Sequence, residues 1–591
     1  MRKGRRSKKT ESIPVLRLFL VWAVLVTGAI ALGWKLYQLQ IIQGSDLKRK
    51  ARQQQKSSVS LYVPRRPIID GEGNFLAMDR LLFTLYAHPI MFKIDIEEMA
   101  GKLGKILPSL TMAELRDKLA SQKTGVRISD QVMESEARQV KSLYLDGLEL
   151  ERRHARIYPS EDVAADIIGY VDGERRGQAG VEYSQQTLLA RNELILPLSY
   201  TGMERLMPTH VPEGLVNLDD LRLQLTLNLR LQRAARAALK GQMAEYKAKR
   251  GAVLVMDALD GSLLALVTEH TYNPNDYHEY GLKLLKNWAI TDLYEPGSTF
   301  KPINVALAMS AGVIKSHERF NDTGRITIDR SVISNHDYYS KGGRGYITVD
   351  QILQYSSNVG MIRIAQRMGR KGYYEALEQL EIQEKTEVDL PGETPGYLKP
   401  KKVFIRSGIE AAAASFGQGL SLTPLKIVQL HGAIASGGKL VTPHVVRGLV
   451  DPDGNFHWQP PLRKKRVFSA QTSQTVLEMM ETVVTKGSGK VAKIPGYRIG
   501  GKTGTAQKAS ATGGYQENAK ITSFVAILPV DAPRYVVLAV IDEPKGENTF
   551  GSTVAAPIVK EVMEALIAIE QIPPSTGGSP RLTAPPLSRG D

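Results

Sequence analysis

Three short motifs stand in order along the chain, and their residue types suit one reaction. Ser298-Thr299-Phe300-Lys301 comes first, Ser356-Ser357-Asn358 follows, and Lys502-Thr503-Gly504 comes last. Each alone arises by chance in a long chain. Together they offer a hydroxyl, an amine three positions on, a second hydroxyl and a second amine. That is the equipment of acyl transfer through a covalent serine ester.

Lysine is a poor base in water. With a pKa near 10.4, about one amine in 2,500 is neutral at pH 7, and half-neutrality costs about 4.6 kcal/mol. Burial and a neighbouring cation both push that pKa down. Lys301 is therefore read as the base for Ser298, with Lys502 as the neighbouring cation. Ser356 is placed to relay a proton, and Asn358 to hold a substrate amide or to orient Lys301.

These groups need elements to hold them. Glu295-Pro296-Gly297 breaks the chain and 303–311 has the apolar density of a buried helix, so Ser298 falls at a helix N-terminus. Pro302 suits a first turn, where its missing N–H was unpaired anyway. Positions i and i+3 share a helix face, which predicts that Lys301 reaches the Ser298 hydroxyl. Lys502, Thr503 and Thr505 are predicted on a short strand after Ile499-Gly500-Gly501. Those glycines would let a substrate backbone approach, and the strand edge would take a peptide as an added strand.

Around the motifs, 225–227, 251–255, 263–267, 524–528 and 535–540 read as strands and 229–244 as a helix, with helical patterns filling the middle. Strands at both ends with helices between predict one α/β unit over 226–570, its sheet closed from distant segments.

The formal net charge of the 591 residues is +16, but the excess is uneven. Residues 1–17 carry seven Lys or Arg against Glu11 alone, and 18–34 then runs without a charge. A basic block before an apolar run suits the cytoplasmic flank of a membrane helix better than a nucleic-acid site. No zinc finger or RNP-type motif is present, so no nucleic-acid partner is expected. An uncleaved anchor is favoured over a signal peptide because the apolar run exceeds the usual ~7–15 residues. Residues 35–225 are mixed, offer no chemistry and read as a pedestal, with a helix near 108–123 capped by Thr111 and Glu114. From 571 to 591 the chain is rich in Pro, Gly and Ser and is expected to be disordered. There is no cysteine, which excludes disulfides.

At the motifs the sequence resembles the class B penicillin-binding proteins, most of all their division-specific transpeptidases. Tyr294-Glu295-Pro296-Gly297-Ser298-Thr299-Phe300-Lys301-Pro302, Tyr355-Ser356-Ser357-Asn358-Val359-Gly360 and Gly501-Lys502-Thr503-Gly504-Thr505-Ala506-Gln507 carry the likeness. Phe416-Gly417-Gln418-Gly419 and Thr423-Pro424-Leu425 extend it, and Arg156-Ile157-Tyr158-Pro159 and Gly180-Val181-Glu182 resemble the family's pedestal. Pro67 stands where the family usually has glycine, and Trp288 where arginine often stands.

The resemblance implies a penicillin-binding serine transpeptidase fold, a central antiparallel sheet flanked by helices, behind a transmembrane helix and an α+β pedestal. It implies that Ser298 attacks the D-Ala–D-Ala bond of a peptidoglycan stem peptide, and that an amine of a second stem resolves the acyl-enzyme. Backbone N–H groups of Ser298 and Thr505 would form the oxyanion hole. Thr503, Gly504 and Thr505 would hold substrate, and a β-lactam would stall at the acyl stage. No cofactor or metal is implied. The implied setting is the cytoplasmic membrane, with a single pass and the catalytic part outside. The implied partners are a polytopic glycosyltransferase of the shape, elongation, division and sporulation class and other divisome proteins. Gly28, Ala29, Ala31 and Gly33 would admit a partner helix, with Gly28 and Gly33 facing the polymerase.

The rival readings are an elongation transpeptidase, a membrane-bound β-lactamase or β-lactam sensor using the same acylation, and a scaffold. Gly487-Ser488-Gly489-Lys490 lacks the residues of a phosphate loop and is set aside. Arg463-Lys464-Lys465-Arg466 is expected as a solvated loop.

Overall fold

Apolar side chains in 18–34 leave the first helix no reason to stop at its first charge. In the computed structural model, which describes residues 15–61, 63–191, 194–200, 206–207, 219–509 and 514–575, helix α1 spans Val15–Tyr37. It passes through Lys35, a cation in its last turn, where the helix dipole favours positive charge. Its 23 residues give about 34 Å, enough for a hydrocarbon core of about 30 Å. The candidate membrane-spanning helix runs over Leu16–Ile42, and its most apolar stretch has a mean hydropathy of 2.1. Gly28 and Gly33 do not share a face, because five residues turn a helix by about 140° beyond a full turn. One groove instead collects Ala23, Thr27, Gly28 and Ala31.

The chain divides into two units. The first comprises 1–64 and 191–219, the second 65–190 and 220–591. In the first unit, α1 is followed by a helix over Gly44–Gln55, and strand Lys56–Leu61 pairs antiparallel with Leu194–Tyr200. The expected basic tail at 1–14 and the C-terminal tail at 576–591 lie outside the described residues.

The second unit begins with the pedestal residues. Helix Met112–Ser121 starts where a capping box predicts, with Thr111 and Glu114 bonded reciprocally. Strand Phe75–Ala87 pairs with both Val126–Val132 and Leu148–Ile157. The Arg156 and Glu182 segments meet in a buried ion cluster. Arg156 Nε donates to Glu182 Oε1 at 2.7 Å and its Nη1 to Asp79 at 3.0 Å, while Arg65 Nη2 donates to Glu182 Oε2 at 2.8 Å. Strand Ile68–Ile69 follows Pro67, whose carbonyl accepts from Leu223 N. Strand Arg222–Leu225 then pairs with Ile68–Ile69 on one side and Val446–Val450 on the other. This cross-pairing binds the pedestal strands to the C-terminal half, which no local pattern announces.

Beyond it, helix α2 (Leu229–Glu245) leads to strands β1 (Arg250–Asp257) and β2 (Leu263–Glu269). Helices α3 (Lys301–Ser310), α4 (Asn358–Met368), α5 (Pro424–Ala435) and α6 (Ala470–Thr485) follow. Strands β3 (Gly500–Ala509), β4 (Tyr515–Leu528) and β5 (Tyr535–Asp542) and helix α7 (Ala556–Ile569) complete it. The five strands form one antiparallel sheet in the order β2-β1-β5-β4-β3. Strand periodicity feeds two cores. Leu254, Val536 and Leu538 pack with α5 and α6, and Val253, Val255, Val537 and Ala539 pack with α2 and α7. The sheet is thus covered on both faces, and β3 is an edge.

Two expectations change here. Residues 464–466 form a short strand rather than a loop, and Arg463 and Lys465 pair with Glu381 at 2.7 and 2.9 Å. Residues 571–575 are packed, with Ile572 buried and Ser575 Oγ donating to Asp531 at 2.6 Å. Trp288 is buried, donates to Gly251 O at 3.2 Å and carries the Arg250 guanidinium 4.5 Å from its ring centroid.

Candidate active site

Ser298 sits where the chain is forced to turn. Gly297 has φ +56°, its N–H donates to Gly417 O at 2.9 Å, and a 3₁₀ turn over Gly297–Phe300 runs into α3. Pro302 occupies the first turn of α3, as its chemistry predicts. Gly417 is the matching surface. At its φ of +83°, a Cβ would lie 2.0 Å from Gly297 O. The Phe416-Gly417-Gln418-Gly419 stretch, whose likeness alone implies no role, therefore holds the Ser298 turn from below.

Lys301 is fully buried. Its amine donates to Ser356 O at 2.6 Å, Asn358 Oδ1 at 2.7 Å and Ser356 Oγ at 3.2 Å. Among the described residues it makes no hydrogen bond to Ser298, contrary to the i, i+3 expectation. The reason is that three oxygens of the second motif already surround the amine. Ser356 supplies two of them because its φ of +55°, unusual for a residue with a Cβ, turns carbonyl and hydroxyl toward the same amine.

Lys502 is also fully buried. Its amine donates to Ser356 Oγ at 3.1 Å and Thr503 O at 3.1 Å. No carboxylate is bonded to either amine among the described residues. Burial lowers Lys502 to about 7. Lys301 falls well below its ordinary value, first by burial and then by the Lys502 charge, with Asp322 opposing.

The third motif lies on the edge strand, and alternation sorts it. Thr503, Thr505 and Gln507 line a cleft of about 670 Å³ together with Ser298, Ser356 and Asn358. Gly504 points the other way. A Cβ there would meet Ser523 Oγ at 2.4 Å and Thr299 Cγ2 at 2.9 Å, so this glycine seats the Ser298 turn on the sheet and is not part of the cleft wall. Gly500 and Gly501 are likewise glycine for packing. Their added Cβ atoms would strike Leu477 Cδ1 at 2.7 Å and Phe524 Cζ at 2.8 Å rather than open a path for substrate.

Several lining residues had no signal strong enough to find them. Ser488, inside a pattern too incomplete for a phosphate loop, bonds Thr503 Oγ1 through its hydroxyl at 2.8 Å. Gly551 N donates to Thr505 Oγ1 at 3.2 Å. His336, Lys341 and Arg344 form another wall, with Arg344 paired to Asp337. Among the described residues no group of three or more His, Asp or Glu is arranged to hold a metal.

Residues 251–564 match the penicillin binding protein transpeptidase domain, and residues 60–195 match the penicillin-binding protein dimerisation domain. The chain belongs to the class B penicillin-binding proteins. Among relatives of this class B protein, a protein of Mesostigma viride named peptidoglycan D,D-transpeptidase FtsI homolog is 39% identical over 578 residues, covering 95% of this chain and 96% of its own. A probable peptidoglycan D,D-transpeptidase PenA of Neisseria meningitidis is 31% identical, covering 94% and 92%. The fold is similar to that of penicillin binding protein 3 from Mycobacterium tuberculosis complexed with ampicillin. That likeness has a TM-score of 0.65 at 25% identity and covers 89% of this chain and 99% of the other.

Proposed function

We propose that this class B protein is a peptidoglycan D,D-transpeptidase of cell division that works through a Ser298 acyl-enzyme. The observation that carries the reading is the meeting of the Lys301 and Lys502 amines on Ser356 Oγ, in the cleft that Ser298 shares with the edge-strand threonines. A stem peptide ending in D-Ala–D-Ala pairs along β3, its carboxylate against the Thr503 and Thr505 hydroxyls. The Ser298 oxygen attacks the carbonyl of the penultimate D-alanine. Its proton passes to neutral Lys301 and returns through Ser356 to the leaving D-alanine nitrogen. The Ser298 and Thr505 N–H groups stabilise the oxyanion. An amine of a second stem then forms the new amide and releases Ser298. A β-lactam enters the same path and stops as the ester.

Helix α1 anchors the chain in the cytoplasmic membrane with the catalytic residues outside, since the basic block precedes the apolar span. The partner is a polytopic glycosyltransferase acting within the divisome. Its helix meets the Ala23, Thr27 and Ala31 face, where small side chains allow close approach. Labelling with fluorescent penicillin tests the core of this reading. The parent chain is expected to form a stable adduct and Ser298→Ala none. Rapid turnover of the penicillin, or labelling of the alanine variant, would overturn it.

A further inference from the structure

The acyl-transfer path leaves one buried amide unused. The Asn335 side chain makes five hydrogen bonds. Its Nδ2 donates to both carboxylate oxygens of Asp322, at 2.8 and 3.0 Å. Its Oδ1 accepts from Asn358 N at 2.8 Å, Val359 N at 3.2 Å and Ser357 Oγ at 3.3 Å. A carboxylate only accepts and a backbone N–H only donates, so one orientation of the amide satisfies both sides. The Oδ1 contacts fall on the first turn of α4, whose N–H groups have no partner within the helix. The next residue back also takes part, because Asn358 Nδ2 donates to Ser334 O at 3.0 Å. Asn358 is therefore gripped by backbone and side chain, and its free Oδ1 is the atom that accepts from Lys301 at 2.7 Å.

Asp322 is itself buried, with Gly324 N donating to it at 2.9 Å. Its amide partner, rather than a cation, neutralises its hydrogen-bonding demand.

We propose that Asn335, clamped by Asp322, is the positioning residue that sets the Ser356–Asn358 turn and so fixes where the Lys301 amine points. This rests on the acyl-transfer reading. The bland alternative is that Asn335 merely supports the packing of α4. The two differ in whether the acceptors of the Lys301 amine shift when the clamp is loosened. Lys301, Lys502 and Asp322 share one buried region, with His336, Asp337 and Arg344 on the adjoining wall. Burial lowers Lys301 most, the Lys502 charge adds to that, and Asp322 works against both. Asp322→Asn keeps the size, but its NH2 group would face the Asn335 Nδ2 that both carboxylate oxygens accept from, so it loosens the clamp without removing Asn335.

The test compares the parent chain with Asn335→Ala and Asp322→Asn. Penicillin acylation is followed against pH, and backbone hydrogen exchange is followed at Asn358 and Val359. Folded Asn335→Ala is expected to acylate about a hundredfold more slowly, the cost of a misplaced catalytic group, with faster exchange at both amides. Asp322→Asn is expected to slow acylation in the same direction, with faster exchange at both amides. Parent-like acylation in folded Asn335→Ala, or unchanged exchange there, would overturn the proposal. So would parent-like acylation and exchange in Asp322→Asn, which also decides the matter if Asn335→Ala does not fold. Failure of the parent itself to be labelled would sink the acyl-transfer reading instead, and the exchange measurement would still decide whether Asn335 sets the turn.

Discussion

The Ser356 hydroxyl lies 3.2 Å from the Lys301 amine and 3.1 Å from the Lys502 amine. One hydroxyl has one proton to give and can serve only one lone pair. If both amines were ammonium, Ser356 would accept twice and two cations would stand buried together without a bonded carboxylate. The economical arrangement has one neutral amine receiving the Ser356 proton while the other ammonium donates to the same oxygen. That arrangement is a ready relay, and both lysines are displaced downward in the direction it needs.

Lys301→Arg keeps a cation on α3 but removes the base, because guanidinium does not lose its proton near neutrality. Penicillin acylation is expected to vanish, although thermal melting shows a folded protein. Substantial labelling would remove Lys301 from the base role.

Acylation should fall as pH drops through the apparent pKa of the lysine pair. The Lys502 charge helps to hold Lys301 down, so Lys502→Met should let Lys301 rise and move the residual acid limb to higher pH. Stability follows the same linkage. Lys502 is lowered when folded, to about 7. Burying it therefore costs nothing above its unfolded value, and the cost grows as pH falls until it is complete below about 7. Relative to the parent, Lys502→Met should gain melting temperature steadily over that window, from about pH 10 downward. A limb that stays in place would separate the two lysines.

Gly417→Ala tests the support beneath Ser298. The new Cβ would press on Gly297 O, 2.0 Å away, from a backbone conformation that disfavours any side chain. The expected result is a loss of about a hundredfold in acylation rate with only a small change in far-UV circular dichroism. An unaltered rate would mean that the Ser298 turn is held from elsewhere.

Glu182→Ala would strip a buried carboxylate from two arginines, Arg65 and Arg156. Removing one partner of a buried pair costs about 3–5 kcal/mol, which denaturant unfolding would read. Acylation by the folded fraction should persist, since this cluster lies among the pedestal residues. A change in unfolding free energy within error would show that Asp79 and backbone carbonyls suffice for the arginines.

Much of this protein was legible from its order of residues. The three motifs, the turn before Ser298, Pro302 in a first turn, the Thr111 and Glu114 cap and the strands at both ends of the catalytic half all rest on local rules. Backbone sterics, capping and apolar periodicity act over a few residues and leave their mark in the string itself. What the tertiary structure alone decided was mostly pairing. Placing β3 at the sheet edge carries the Lys502 amine to Ser356, and the φ of Ser356 aims its carbonyl at Lys301. Register then assigns Thr503 to the cleft and Gly504 to the seat of the Ser298 turn. The meanings of Gly417, Gly500 and Gly501 depend on which distant atoms come within reach of a missing Cβ. Strand Arg222–Leu225 joins pedestal and C-terminal strands for the same reason. Pairing and close packing are satisfied between segments hundreds of residues apart, so no window along the chain contains them.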